Sequence, residues 1–324
     1  MRPWDEQGAA LITVLLLVAV MSVLAVALLD DIRFGIRRAV NAGENGQAQW
    51  YALGAEALAR ARIGQLTRGE GPTRLTGNWP ERTFAYPLDN GAMELRLADG
   101  GACFNLNSVV EGAGEMLRRS ERGAAQFTTL LLALGLAESE AATLTAALVD
   151  WMDSDVLRGP GGAEDEAYAA PPIARRTAGT LMAEASELRA LHGMNEDLYQ
   201  RLRPFVCALP TTEPSRINAN TLPRDRAVLL TAVTDGRLLP AEALRLIAMR
   251  PADGWRDQAA LAAAPPVAAL GGAGGLGEQV GLRSRFFRLE AVVRHGDGEV
   301  TGSSLFEQMG QTVRLVSRRW GGEE

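Results

Sequence analysis

The chain has 324 residues, a net charge of -6, 47% apolar and 22% charged residues. It is long enough for a sizeable core and too mixed for wholesale disorder or collagen-like repetition. All 33 basic residues are arginine, yet the acidic balance argues against a general electrostatic grip on nucleic acid, and two cysteines with two histidines are too few for a soft-ligand zinc site.

Residues 9–29 (AALITVLLLVAVMSVLAVALL) carry no charge. At ~1.5 Å rise per residue they span about 30 Å, the hydrocarbon thickness of a bilayer. The leader before them, MRPWDEQG, has Asp5 and Glu6 against Arg2, so a secretory signal with a basic start fits poorly, and no A-x-A cleavage site follows. A short polar leader ending in Gly8 against an uncleaved apolar helix resembles the signal of type IV prepilins and type II secretion pseudopilins, which are cut after the glycine. An ordinary signal anchor is the alternative. From Ile32 to Leu66 the residues Ile36, Val40, Trp50, Leu53, Ala57, Leu58 and Ile63 fall on one rough helical face, with Gly35, Gly43, Gly46 and Gly54 weakening the helix.

After a turn-rich connection at 69–80, Met93 to Leu97 alternates as a strand. Two similar strings follow, Cys103-Phe104-Asn105-Leu106-Asn107-Ser108 and Ile217-Asn218-Ala219-Asn220-Thr221; both read as strand-to-helix turns with a Ser or Thr cap. Between them, 127–136, 141–151 and 184–202 read as helices, closed by Pro204 and Pro210. Two short helices at 226–233 and 241–249 precede a Gly/Pro/Ala-rich loop at 265–277. The chain ends as an antiparallel meander over 286–294, 299–306 and 312–320, with a turn at Gly296-Asp297-Gly298.

The chemistry-bearing segment is Asp150-Trp151-Met152-Asp153-Ser154-Asp155 with Glu164-Asp165-Glu166. Against these acids stands Arg158. Hard carboxylates on a glycine-containing loop suit Ca²⁺, although the offsets are not those of an EF-hand; an acidic solvated loop without metal is the alternative. No P-loop, dinucleotide fingerprint or nucleophile elbow is present, and His192 and His295 have no triad partner in the sequence. Cys103 and Cys207 border the helical stretch, so either a disulfide staples it or two separate thiols are buried.

Taken in order, QGAALITVLLLVA, CFNLNS, DWMDSD with GGAEDEAY, ELRALHGM, LRPFVCALP and INANT resemble the general secretion pathway protein K family, the large minor pseudopilin of type II secretion. The resemblance implies an α+β fold: a leader at 1–8, a membrane and assembly helix at 9–66, a pilin-like α/β domain with an antiparallel sheet at 67–107 and 214–324, and a large all-α domain inserted at 108–213. It also implies cleavage by the prepilin peptidase between Gly8 and Ala9. The mature protein would be a single-pass inner-membrane protein with its globular part in the periplasm. Its implied partners are the I, J and H class minor pseudopilins at a pseudopilus tip, with secreted substrates and the inner-membrane platform as further contacts and no nucleic acid. Calcium is implied in the region of Asp150, Asp153, Asp155, Glu164 and Asp165. Most pilin-type subunits carry a glutamate as fifth mature residue; here that position is Thr13, a departure characteristic of the K class. An anchored periplasmic enzyme, or a binding protein with a metal-stabilised acidic loop, is the competing reading, and the sequence offers it no catalytic constellation. Intact-mass measurement on membrane-extracted protein checks the processing: the expected species begins at Ala9 and retains the apolar helix, whereas a chain beginning at Met1 contradicts it.

Overall fold

The computed structural model describes residues 5–75, 79–80, 82–114, 116–169 and 174–321. The first half of the expected leader, residues 1–4, and part of the turn-rich connection lie outside these residues. The first element is a 62-residue helix, α1 (Asp5–Leu66), continuous through all four glycines that were expected to weaken it.

The two halves of α1 meet different surroundings. Its apolar window is entirely unburied within the chain, whereas Ala48, Ala52, Ala55, Ala59, Ile63 and Leu66 are buried. Their spacing of three and four places them on one stripe. The face expected from the sequence is a different one: of its residues only Ile63 joins this stripe, and Trp50 is 70% exposed. Alanines along the contact line bring the helix axis close to a sheet, and a row of bulkier side chains would hold it off.

That sheet has five antiparallel strands. They are β1 (Thr83–Leu88), β2 (Gly91–Asp99) and, after a long excursion, the terminal meander. Within the excursion lie β3 (Phe104–Asn105), α2 (Glu121–Ala133), α3 (Glu138–Met152), α4 (Glu196–Leu202), β4 (Val206–Cys207), β5 (Ile217–Asn218), α5 (Val228–Val233), α6 (Pro240–Ala248) and β6 (Val280–Gly281). The meander is β7 (Phe286–His295), β8 (Gly298–Met309) and β9 (Thr312–Trp320), giving the sheet order β1-β2-β7-β8-β9. Met93, Leu95 and Leu97 of β2 and Phe287, Leu289 and Val293 of β7 bury one face against α1. The other face turns toward the helical excursion.

Two expected elements differ. The 184–202 stretch is a 3₁₀ segment, Ala185–Ala190, followed by the short α4, and the 265–277 loop contains single helical turns at Pro265–Ala268 and Ala273–Leu276. The apolar cluster of the helical body also runs without interruption from Ala102 to Leu282. Position 213 therefore does not divide the core: the helices after it pack with α2 rather than with the sheet, because α5 presents Leu229, Leu230 and Val233 to that cluster.

The body is built from two matching turns. Phe104 and Asn105 pair in parallel with Val206 and Cys207, and Ile217 and Asn218 with Val280 and Gly281. In each string the first Asn side chain accepts from the backbone N–H two residues on, and the second clamps a distant segment. Asn107 donates to the carbonyls of Met182 and Leu209 and accepts from the Met182 N–H. Asn220 donates to the Trp255 carbonyl and accepts from its N–H. Ser108 donates back to the Asn105 carbonyl, and the Thr221 hydroxyl, whose proton goes chiefly to Asp99, lies against the Asn218 carbonyl at 3.3 Å. These satisfied amides make the two strings load-carrying turns of the fold.

Helix and sheet are locked by charge as well as by packing. Glu56, 5% exposed on α1, accepts from the Arg318 guanidinium on β9 through both carboxylate oxygens and from Ser304 Oγ on β8 at 2.8 Å. Burial pushes its carboxyl up, but the bonds from Arg318 and Ser304 prevail and hold it below the ordinary range. Arg318→Ala leaves that carboxylate buried without its cation and is expected to cost about 3 kcal/mol in denaturant unfolding of the detergent-solubilised chain; Glu56→Gln, which keeps an acceptor for Ser304, is expected to cost less.

Candidate acidic metal site

The acidic segment forms where α3 ends. Asp150, Trp151 and Met152 are its last turn, and Asp153 caps it with its N–H on the Val149 carbonyl. Carboxylates at a helix C-terminus face the negative end of the dipole, the wrong end for them. The chain then loops out and returns at Glu164, whose neighbours Asp165 and Glu166 open the single turn Asp165–Tyr168.

Asp153, Asp155 and Glu164 converge, each contributing an oxygen within 4.8 Å of the other two. Asp153 and Glu164 are buried, and Asp153 Oδ1 and Glu164 Oε1 are buried acceptors without a hydrogen-bond donor. Burial, and then repulsion from Asp155, Asp150 and Glu164, pushes the Asp153 carboxyl up to about 7. Glu164 is raised by burial and by Asp150. Such groups cost free energy unless neutralised, and a hard cation with six to eight oxygen ligands matches both the donor type and the two idle oxygens.

The other two expected ligands are engaged elsewhere. Asp150 accepts from the Gly159 N–H at 3.2 and 3.3 Å, and a Cβ at Gly162 would stand 1.9 Å from Asp150 Oδ2, so this carboxylate pins the returning loop. Asp165 accepts from the N–H and hydroxyl of Thr177 at 2.9 and 3.1 Å. The five acids are thus three converging groups with two anchors beside them. Sequence reading missed Thr177, twelve positions from Asp165, and the edge-on Trp151–Tyr168 pair, ring centroids 5.2 Å apart, that backs the loop; a Trp inside the acidic run was the available signal.

Cys103 and Cys207 form a disulfide joining the start of the helical body to the end of its first half. Gly8 and Ala9 lie in the first turns of α1. Thr13 Oγ1 donates to the carbonyls of Ala9 and Ala10 at 3.1 and 2.9 Å, so its hydroxyl is satisfied inside its own helix.

Two family profiles, both described as type II secretion system (T2SS), protein K, match residues 102–211 and 217–283. The protein K of Pectobacterium carotovorum subsp. carotovorum is 36% identical, covering 98% of this chain and 97% of that protein. That of Klebsiella pneumoniae is 37% identical with coverage of 98% and 97%. Among solved structures, a chain of the GspK-GspI-GspJ complex from enterotoxigenic Escherichia coli superposes with a TM-score of 0.76 at 30% identity, covering 88% of this chain and 100% of that one.

The raised Asp153 carboxyl sets a sign for the metal-free protein. A group whose folded pKa lies above its unfolded value contributes stability at low pH that is lost as pH rises toward about 7. In chelator, Asp153→Asn is expected to flatten that loss relative to the parent chain, a difference that cancels the opposite contributions of Glu56 and Glu307. Added Ca²⁺ is expected to raise the melting temperature of the parent more at pH 8 than at pH 5, because the ligands must be deprotonated, and to leave Asp153→Asn nearly unmoved. Thermal melts at the two pH values measure both effects.

Proposed function

The chain belongs to the type II secretion system protein K family, and on that premise we propose that it is a minor pseudopilin that begins or caps the pseudopilus tip. Membership and the long apolar helix make it a membrane-anchored component of a secretion system. In the proposed reading the prepilin peptidase cuts between Gly8 and Ala9, the anchor sits in the inner membrane and the globular part lies in the periplasm. The I, J and H class minor pseudopilins are its partners there, with secreted substrates and the inner-membrane platform in contact during export. Enzymatic activity plays no part in this reading.

The observation that carries the tip assignment is Thr13. In pilin-type filaments the charged amino terminus of one subunit is buried among apolar helices, and the fifth-residue glutamate of the subunit joining beneath it supplies the counter-charge. Thr13 has no carboxylate, and its hydroxyl is bonded to the preceding turn of its own helix. It offers no counter-charge to a neighbour's amino terminus, while its own amino terminus remains available to a glutamate from below. Such a subunit fits at the top of a stack. The exposed Trp50 and Leu58 on the side of α1 away from the sheet supply apolar surface for partner helices, and the helical body adds bulk that a closely packed repeating shaft would have to accommodate at every subunit.

In the acidic site, Asp153, Asp155 and Glu164 would hold Ca²⁺, with Asp150 and Asp165 fixing the loop around it. The ion's contribution is structural: it neutralises a cluster at the wrong end of α3 and ties the helix end to the returning segment. The test is to label the protein in assembled pseudopili. One label per filament, at an end, is expected; repeated labelling along the shaft overturns the tip assignment.

A further inference from the structure

Among the described residues, the most exposed large apolar side chains stand together at one point of the helical body. Met116, Val156 and Leu157 are 80%, 81% and 76% exposed, more than any residue of the membrane-spanning run, where Val23 is highest at 69%. Two loops bring them together: the Ser154 N–H donates to the Leu117 carbonyl and the Leu117 N–H to Ser154 Oγ, both at 2.9 Å. Their neighbours along the two loops, Arg118, Ser154, Asp155 and Arg158, are exposed and polar, so the patch is an isolated, projecting tip.

The backbone beneath holds this tip outward. The Leu157 N–H donates to Asp155 Oδ1 at 2.7 Å, the Gly159 N–H to the Asp150 carboxylate, and Arg158 Nε to the Gly162 carbonyl at 2.7 Å. Asp155 is also one of the three converging carboxylates, so whatever fixes Asp155 fixes Leu157 as well. Apolar groups held this far into water leave a free-energy gain that only burial against something else recovers.

We propose that Met116, Val156 and Leu157 form a tip that inserts into a phospholipid surface when the acidic site beside it holds Ca²⁺. The inference rests on the reading of Asp153, Asp155 and Glu164 as a Ca²⁺ site. Two observations select lipid. A specific protein–protein interface buries about 1,200–2,000 Å² in total, several times what three aliphatic side chains present, whereas an inserting tip has only to reach the boundary of headgroups and acyl chains. And the acids from Asp153 to Glu166 stand against the single Arg158, so an anionic lipid surface repels the metal-free loop; the ion offsets that charge, and its preference for oxygen extends to lipid phosphate. The helix α1 rises about 28 Å between Leu29, where the apolar run ends, and Ala48, where its buried stripe begins. That bare stretch lifts the globular part clear of the bilayer holding the anchor, and the surface the tip meets is a second bilayer.

The test uses the full chain in phosphatidylcholine nanodiscs and separate vesicles of phosphatidylcholine and phosphatidylglycerol, read as co-flotation through a density gradient. With millimolar Ca²⁺ the nanodiscs are expected to float with the vesicles, and with chelator to stay behind. Val156→Ser with Leu157→Ser is expected to weaken vesicle binding about tenfold or more. Leu239→Ser with Met249→Ser, at two other exposed positions of the body, is expected to stay within about twofold. Thermal melts of the same nanodiscs separate the two readings: Ca²⁺ that raises the melting temperature without flotation overturns the inserting tip alone, and Ca²⁺ that does neither overturns the metal reading and the tip with it. Flotation that persists undiminished in chelator overturns the proposal. So does equal flotation of parent and Val156→Ser, Leu157→Ser chains, because the ion alone would then bridge headgroups; if that variant instead loses co-purification with an I or J class pseudopilin, the tip is a protein contact.

Discussion

One buried carboxyl holds the two halves of the globular part together. Asp99 ends β2, where the chain leaves the sheet, and accepts from the Gly101 N–H, the Thr221 hydroxyl of the second Asn string and the Ser284 hydroxyl just before β7. Exit, interior and return of the helical body thus converge on a single side chain. Burial pushes that carboxyl up while the three donors pull it down, and burial wins. With no cation among these partners, the junction is held by neutral donors and by exclusion of water, which makes it sensitive to any substitution that leaves Asp99 partly satisfied.

The rest of the architecture follows from how α1 resolves two demands. A single hydrogen-bonded ladder serves lipid in its first half and a sheet in its second. In lipid, every backbone group must be satisfied within the segment, which a continuous helix does. Against the sheet, the alanine stripe sets the spacing, and the bonds from Arg318 and Ser304 to Glu56 fix the register of helix on strands. The glycines are tolerated because tertiary packing and the apolar medium, more than intrinsic propensity, decide whether such a helix persists.

Much of this was legible in the sequence because it rests on periodicity. The uncharged run, the alternation at Met93 to Leu97, the meander with its Gly-Asp-Gly turn and the apolar helices read at 127–136 and 141–151 all carry strong local patterns. Three features did not. The packed face of α1 was misread because hydrophobicity scales favour Trp50 and Leu58 over alanine, whereas the contact selects for small volume. The continuity of the apolar cluster past position 213 was not legible, because the parallel pairings β3 with β4 and β5 with β6 are two residues long and join positions far apart in sequence. In the acidic loop, composition located the cluster but could not separate Asp153, Asp155 and Glu164, which converge, from Asp150 and Asp165, which bind backbone; that division depends on where Gly159 and Thr177 fall in space.

The placement of the helical body has a kinetic meaning. Asp99 of β2 stands opposite Phe287 of β7, and the Gly100 N–H bonds to the Phe286 carbonyl at 2.9 Å, so the body occupies the position of a hairpin turn. As an unfolded loop, residues 101–285 would make this strand pair a long-range contact, slow to close although only weakly penalised per added residue. Once the body has folded, its two ends already stand side by side and the strands close as neighbours. Completion of the sheet, and with it the seat for α1, is therefore timed by a domain that contributes no strand to that sheet.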